Sequence, residues 1–82
     1  MTLDDLKNNQ CAIITKINIK DHDQRRRLLD LGFVVGKKIK LIFSNIGIKA
    51  FLILETQISL RRHIARQIEV RIEENTNESS RC

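Results

Sequence analysis

A chain of 82 residues with 41% apolar and 30% charged side chains has material for one small core and is too aliphatic to stay wholly unfolded. Its formal net charge of +5 favours an anionic partner (nucleic acid, a membrane surface or an acidic protein) without choosing among them. No apolar run approaches the roughly 20 residues of a membrane-spanning helix, and Asp4 and Asp5 interrupt any signal-peptide pattern at the start.

The first expected element is one helical turn at Thr2-Leu3-Asp4-Asp5-Leu6, with Thr2 as its cap and both acids favoured by its dipole. Asn8-Asn9 follows as a turn, because asparagine tolerates positive φ. Residues 11–19 alternate as a strand, with Ile13, Ile17 and Ile19 expected inward and Lys16, Asn18 and Lys20 outward. A helix is expected from Asp21 to Leu31. Asp21 caps it, Gln24 answers in a capping box, and Gly32 stops it in the left-handed conformation. Its buried stripe reads as Leu28 and Leu31, helped by Leu29.

Strand-like stretches come next. Residues 38–44 place Ile39, Leu41 and Phe43 inward and Lys38 and Lys40 outward. Residues 48–55 place Ile48, Ala50, Leu52 and Leu54 on the core face, while Phe51 and Ile53 make the other face apolar too. Asn45 and Gly47 mark the hairpin between them. Thr56 to Leu60 adds a short strand, and Arg61 to Gln67 reads as a helical turn. The final strand, Ile68 to Glu73, alternates cleanly with Ile68, Val70 and Ile72 inward. Residues 74–82 contain no aliphatic or aromatic side chain and are expected to form a disordered polar tail behind a domain of residues 1–73. The expected fold is therefore mainly β. It is a small closed or nearly closed barrel of about five strands, with one helix after the first strand and a short helical turn before the last.

The stretch Arg27-Leu28-Leu29-Asp30-Leu31-Gly32-Phe33-Val34-Val35-Gly36, followed by an alternating strand, resembles the signature of the ferrous iron transport protein A family, FeoA. Residues 58–70, Ile-Ser-Leu-Arg-Arg-His-Ile-Ala-Arg-Gln-Ile-Glu-Val, are similar to that family's closing pattern, and Leu3-Asp4-Asp5-Leu6 matches its opening. Val35 stands where the family usually has proline, Ile64 where it often has glutamate, and Asn9 at a usual glycine. The resemblance runs from about Thr2 to Ile72. It implies an SH3-like barrel in the bacterial cytosol. It also implies a partner, the ferrous iron transporter FeoB, a permease with a cytosolic GTP-binding region. The motif itself is a fold signature, since its glycines end a helix and open a turn.

Candidate contact residues follow from charge and apolar clustering. Arg61, Arg62, His63 and Arg66 form a basic patch, with no acid between Thr56 and Ile68. It suits an anion or an acidic protein, and Lys38, Lys40 and Lys49 would extend it. Arg25-Arg26-Arg27 is balanced by Asp21, Asp23 and Asp30 at helical spacing and reads as a solvated face. Phe33, Val34 and Val35 form an apolar corner between helix and strand, and Phe51 lies opposite the expected core set. The expected partner-binding residues are thus Phe33, Val34, Val35, Phe51, Arg61, Arg62 and Arg66.

Catalytic and metal chemistry is poorly supplied. The only glycines are Gly32, Gly36 and Gly47, so no phosphate-cradling loop exists, and no serine, histidine and acid form a nucleophilic set. Asp21-His22-Asp23 are neighbours on a first helical turn, where they point in different directions and cannot readily chelate one ion. Cys11 is expected to pack as a small hydrophobe; with Cys82 it makes no disulfide framework and fits a reducing, cytoplasmic compartment. No enzyme activity, cofactor or dedicated iron or zinc site is expected. The leading expectation is a small cytosolic accessory of ferrous iron uptake, a monomer or weak oligomer that docks on the GTPase region of FeoB and modulates it. The alternatives are a basic nucleic-acid-binding barrel, ribosome-associated or repressor-derived, and a transition-metal-binding barrel. The absence of Trp and Tyr weighs against base stacking.

Overall fold

The computed structural model describes residues 1–73; the tail expected over 74–82 lies outside the described residues. A 3₁₀ turn, Leu3–Asp5, precedes β1 (Cys11–Ile17), α1 (His22–Leu31), β2 (Lys38–Ser44), β3 (Ile48–Ile53), β4 (Thr56–Arg61), α2 (Arg62–Ala65) and β5 (Ile68–Ile72). The five strands form one antiparallel sheet in the order β4-β3-β2-β1-β5. Every element lies within a few residues of its expected position.

The local chemistry explains those boundaries. The Asp5 carboxylate accepts the Thr2 N–H at 2.9 Å, which ties off the first turn. Asp21 caps α1 by accepting the Asp23 N–H at 3.0 Å, although Gln24 does not return the bond. At the other end Gly32 enters the left-handed region at φ 106°. Its N–H reaches the Leu29 carbonyl at 3.0 Å, and the Phe33 N–H reaches that of Leu28 at 3.0 Å. This is a Schellman ending, which brings the residue after the glycine against the helix's last apolar turn. Leu28 and Phe33 are both buried there. Asn9 turns the chain into β1 with φ 67°, the conformation that asparagine tolerates best after glycine.

Strand phase is where the expectation fails. In β1 the core residues are Ala12 and Ile14, with Ile13 and Ile17 only half-buried. The pairing with β5 slips between Ile14 and Lys16, and one extra residue reverses the side-chain alternation. The same device acts in β2, where the register shifts between Leu41 and Phe43. Ile39 and Leu41 face the core, but Phe43 is turned out and is 52% exposed. In β3 the phase is inverted. Leu41 pairs with Phe51, and residues directly opposite share a face. Phe51 and Ile53 are therefore buried, while Ile48 and Leu54 are exposed. In α1 only Leu28 is buried; Leu29 and Leu31 are exposed, contrary to the expected stripe. The sheet curls around one core of Leu3, Ile14, Phe33, Leu41, Phe51 and Ile68, with smaller residues between them.

The β3–β4 hairpin closes through Leu54 and Glu55, with φ of 52° and 65°. A two-residue hairpin of this type usually has Asn-Gly at these positions, because a side chain in the left-handed region costs about 1 kcal/mol or more. Glu55→Gly is expected to raise stability by about 1 kcal/mol. The check is a higher urea midpoint with an unchanged slope.

Candidate functional site

The N-terminal turn, β3 and α2 converge on one carboxylate. Asp4 Oδ1 accepts from Arg62 Nε at 3.0 Å and Oδ2 from Arg66 Nε at 3.0 Å, and Arg62 Nη2 donates to Oδ2 at 3.4 Å. The Lys49 ammonium lies 3.5 Å from Oδ1 and donates to the Asp4 main-chain carbonyl at 2.8 Å. Lys49 is only 7% exposed. Its burial follows from the phase of β3, since residues 49, 51 and 53 share the inward face. A buried ammonium needs a counter-charge, and the N-terminal turn supplies it. The Arg62 hydrogen bond, with help from Arg66 and Lys49, overcomes partial burial and lowers the Asp4 pKa to about 2.

This cluster revises the expected basic patch. Arg62 and Arg66 are held by Asp4, which no local sequence window places beside them. Arg61 and His63 stay exposed with no carboxylate partner among the described residues. Lys49 is corrected from an outward lysine to a buried one. Of the apolar candidates, Phe33 and Phe51 are fully buried, so neither presents a contact surface: one completes the helix ending and the other lies opposite Leu41. Val34 and Val35 are exposed, Val35 by 57%. Leu31 and Leu54 are exposed as well, and Leu54 lies over Gly32, where a Cβ would sit 2.8 Å from its Cδ1. The β2–β3 hairpin shows a second apolar set, Phe43, Ile46 and Ile48, with Ile46 91% exposed. Sequence alternation had placed Phe43 and Ile48 inside.

The helix ion pairs expected at Asp21–Arg25, Asp23–Arg27 and Arg26–Asp30 are not formed. Asp21 serves as a cap instead. Among the described residues, no three His, Cys, Asp or Glu side chains gather where one metal ion could be held, and no helix is long and apolar enough to cross a membrane.

A five-stranded antiparallel sheet curled on one core, with a helix between its first two strands and a helical turn before its last, defines a small SH3-like barrel. The FeoA domain model matches residues 1–72. A Campylobacter jejuni protein named for Fe(2+) transport, as a transport protein A, is 37% identical over 75 residues, which cover 88% of this chain and 99% of the relative. The solution structure of iron(II) transport protein A from Clostridium thermocellum superposes with a TM-score of 0.81 at 26% identity, over 88% of this chain and 45% of that one. This chain thus spans under half of that longer chain. The zinc complex of Stenotrophomonas maltophilia FeoA matches with a TM-score of 0.74 at 25% identity, over 85% and 88% of the two chains. That protein is described as a prokaryotic SH3 domain protein and a candidate activating factor of ferrous iron transport. The chain belongs to the FeoA family, and with it to ferrous iron transport.

Proposed function

We propose that this chain is an accessory protein that docks on the cytosolic GTP-binding region of a ferrous iron transporter of the FeoB type and biases its conformation. The observation that carries this reading is a small barrel of the FeoA family that exposes Val34, Val35 and Leu54, and also Arg61, which has no carboxylate partner among the described residues. Exposed aliphatic side chains at one end of the barrel and an exposed arginine at the far end of β4 both suit protein recognition. Ferrous iron is then the transporter's cargo, and this chain acts from the cytoplasmic side without cofactor or catalysis of its own. The Asp4 clasp also supports a protein partner over a polynucleotide, because it occupies two arginines that a phosphate track would need.

Immobilised chain is expected to retain the isolated FeoB GTP-binding region, with retention weakening as salt rises from low to moderate strength. No retention at either ionic strength would overturn the proposal.

A further inference from the structure

The two edges of the sheet are treated differently. The outer edge of β5 is covered by the N-terminus: the Val70 N–H donates to the Met1 carbonyl at 2.9 Å, and Thr2 bridges Glu69. Among the described residues, the outer edge of β4 has no such cover. Proteins usually block such edges, because unpaired main-chain groups recruit another strand.

The register shows which groups β4 leaves open. The Arg62 N–H donates to the Gly47 carbonyl at 3.1 Å. Antiparallel pairs alternate between bonded and unbonded, so Thr56, Ile58 and Leu60 direct their main chain at β3. Gln57, Ser59 and Arg61 direct theirs outward, and none of these N–H groups has a partner among the described residues.

Beside this edge, α1, β4 and α2 line a groove of about 280 Å³. Its apolar lining is Leu28, Leu31, Leu60 and Ile64, and its polar lining is Gln24, Ser59, Arg27 and Arg61. Both arginines are exposed, and neither is ion-paired among the described residues. The groove has no aromatic lining on which bases could stack. A second copy packed on it about a two-fold axis would bring like charges together.

We propose that this groove binds an extended acidic segment of a protein partner, added as a strand to the outer edge of β4. One apolar side chain of the segment would fill the space between Leu28, Leu31, Leu60 and Ile64. Flanking carboxylates would pair with Arg27 and Arg61. The identity of the partner rests on the docking reading above; the chemistry of the groove rests on this chain alone.

The test is an amide NMR titration of the full chain with a blocked heptapeptide of alternating Glu and Val, and with its Lys-for-Glu counterpart. The acidic peptide is expected to give saturable shifts at Gln57, Ser59, Arg61 and Leu31, and the basic peptide none. Arg27→Glu with Arg61→Glu is expected to weaken binding at least about tenfold. Ser59→Pro removes only an outward N–H, which an edge strand tolerates, so it should stay folded and also bind weakly. Equal binding of both peptides, shifts remote from β4, or full binding by folded Ser59→Pro would overturn the proposal. Shifts at these amides that follow protein concentration alone would assign the groove to a second copy and likewise overturn it. Transporter retention reads out separately. Peptide binding without retention removes the docking reading alone. Undiminished retention of the double-arginine variant removes the groove as the docking face and leaves the docking reading intact.

Discussion

Asp4→Ala is expected to destabilise the domain by about 3 kcal/mol at neutral pH, the cost of removing one partner from a largely buried ion pair. The effect is large for an N-terminal residue because Lys49 is left behind. Its ammonium is inside the fold and would keep only the main-chain carbonyl of residue 4 as an acceptor. Lys49→Met in the Asp4→Ala background is therefore expected to recover much of the loss, since an apolar side chain of similar length has no charge to neutralise. The same carboxylate sets an acid limit. Its pKa is about 2 in the fold against 3.8 as a free side chain. A lowered carboxylate pKa stabilises the fold above the unfolded value, and that contribution disappears as pH falls from about 4 toward 2. The side chain is 11% exposed, so most of the shift counts, and it corresponds to about 2 kcal/mol. Urea titrations at a series of pH values check both effects. If Asp4→Ala lost stability below pH 4 as steeply as the parent does, Asp4 would not be the group responsible.

The clasp divides the arginines of α2 and its approach into two kinds. Arg62 and Arg66 hold the N-terminal turn and so fix the cover over the β5 edge, where Met1 and Thr2 meet Val70 and Glu69. Arg61, one residue earlier and in the last position of β4, points elsewhere and stays available. Sequence order gives no sign of that division, because neighbours in a basic run look alike until a distant acid selects some of them.

Element positions were legible because caps and stops are local. Asp21, Gly32, Asn45 and Gly47 act within three or four residues, and each marks its boundary without help from the rest of the chain. Helix and barrel could therefore be assigned from residue order, and the family pattern reinforced the assignment. Side-chain phase was not legible in the same way. The bulges after Ile14 and Leu41 are properties of strand pairs, and period-two counting along one strand cannot detect them. In β3 both faces are apolar, so alternation alone had no basis for choosing Phe51 over Leu52; the choice comes from pairing with Leu41. The Asp4 cluster joins residues 45 and 58 positions apart in sequence. The available hint was indirect: a basic run with no acid of its own invites one from elsewhere. The unpaired Arg27 was missed for the opposite reason, since helical spacing supplied an acid that the side chain does not use.

Phe51→Ala is expected to cost about 4 kcal/mol, because it removes a fully buried ring from the centre of the core and leaves a cavity that neighbouring strands cannot close. A domain of this size has a total stability of about 4 to 11 kcal/mol, so the variant should sit at or near the unfolding threshold. Any loss of partner binding must then accompany loss of structure, with collapsed amide dispersion and a low urea midpoint. Val35→Asp provides the contrast. Its side chain is exposed, so stability should change by no more than about 0.5 kcal/mol, and any binding loss would report on the surface. Phe51→Leu keeps most of the apolar volume and should cost far less than the alanine variant. A Phe51→Ala protein with the parent's stability that failed to bind a partner would contradict the burial of this ring and return Phe51 to the docking surface.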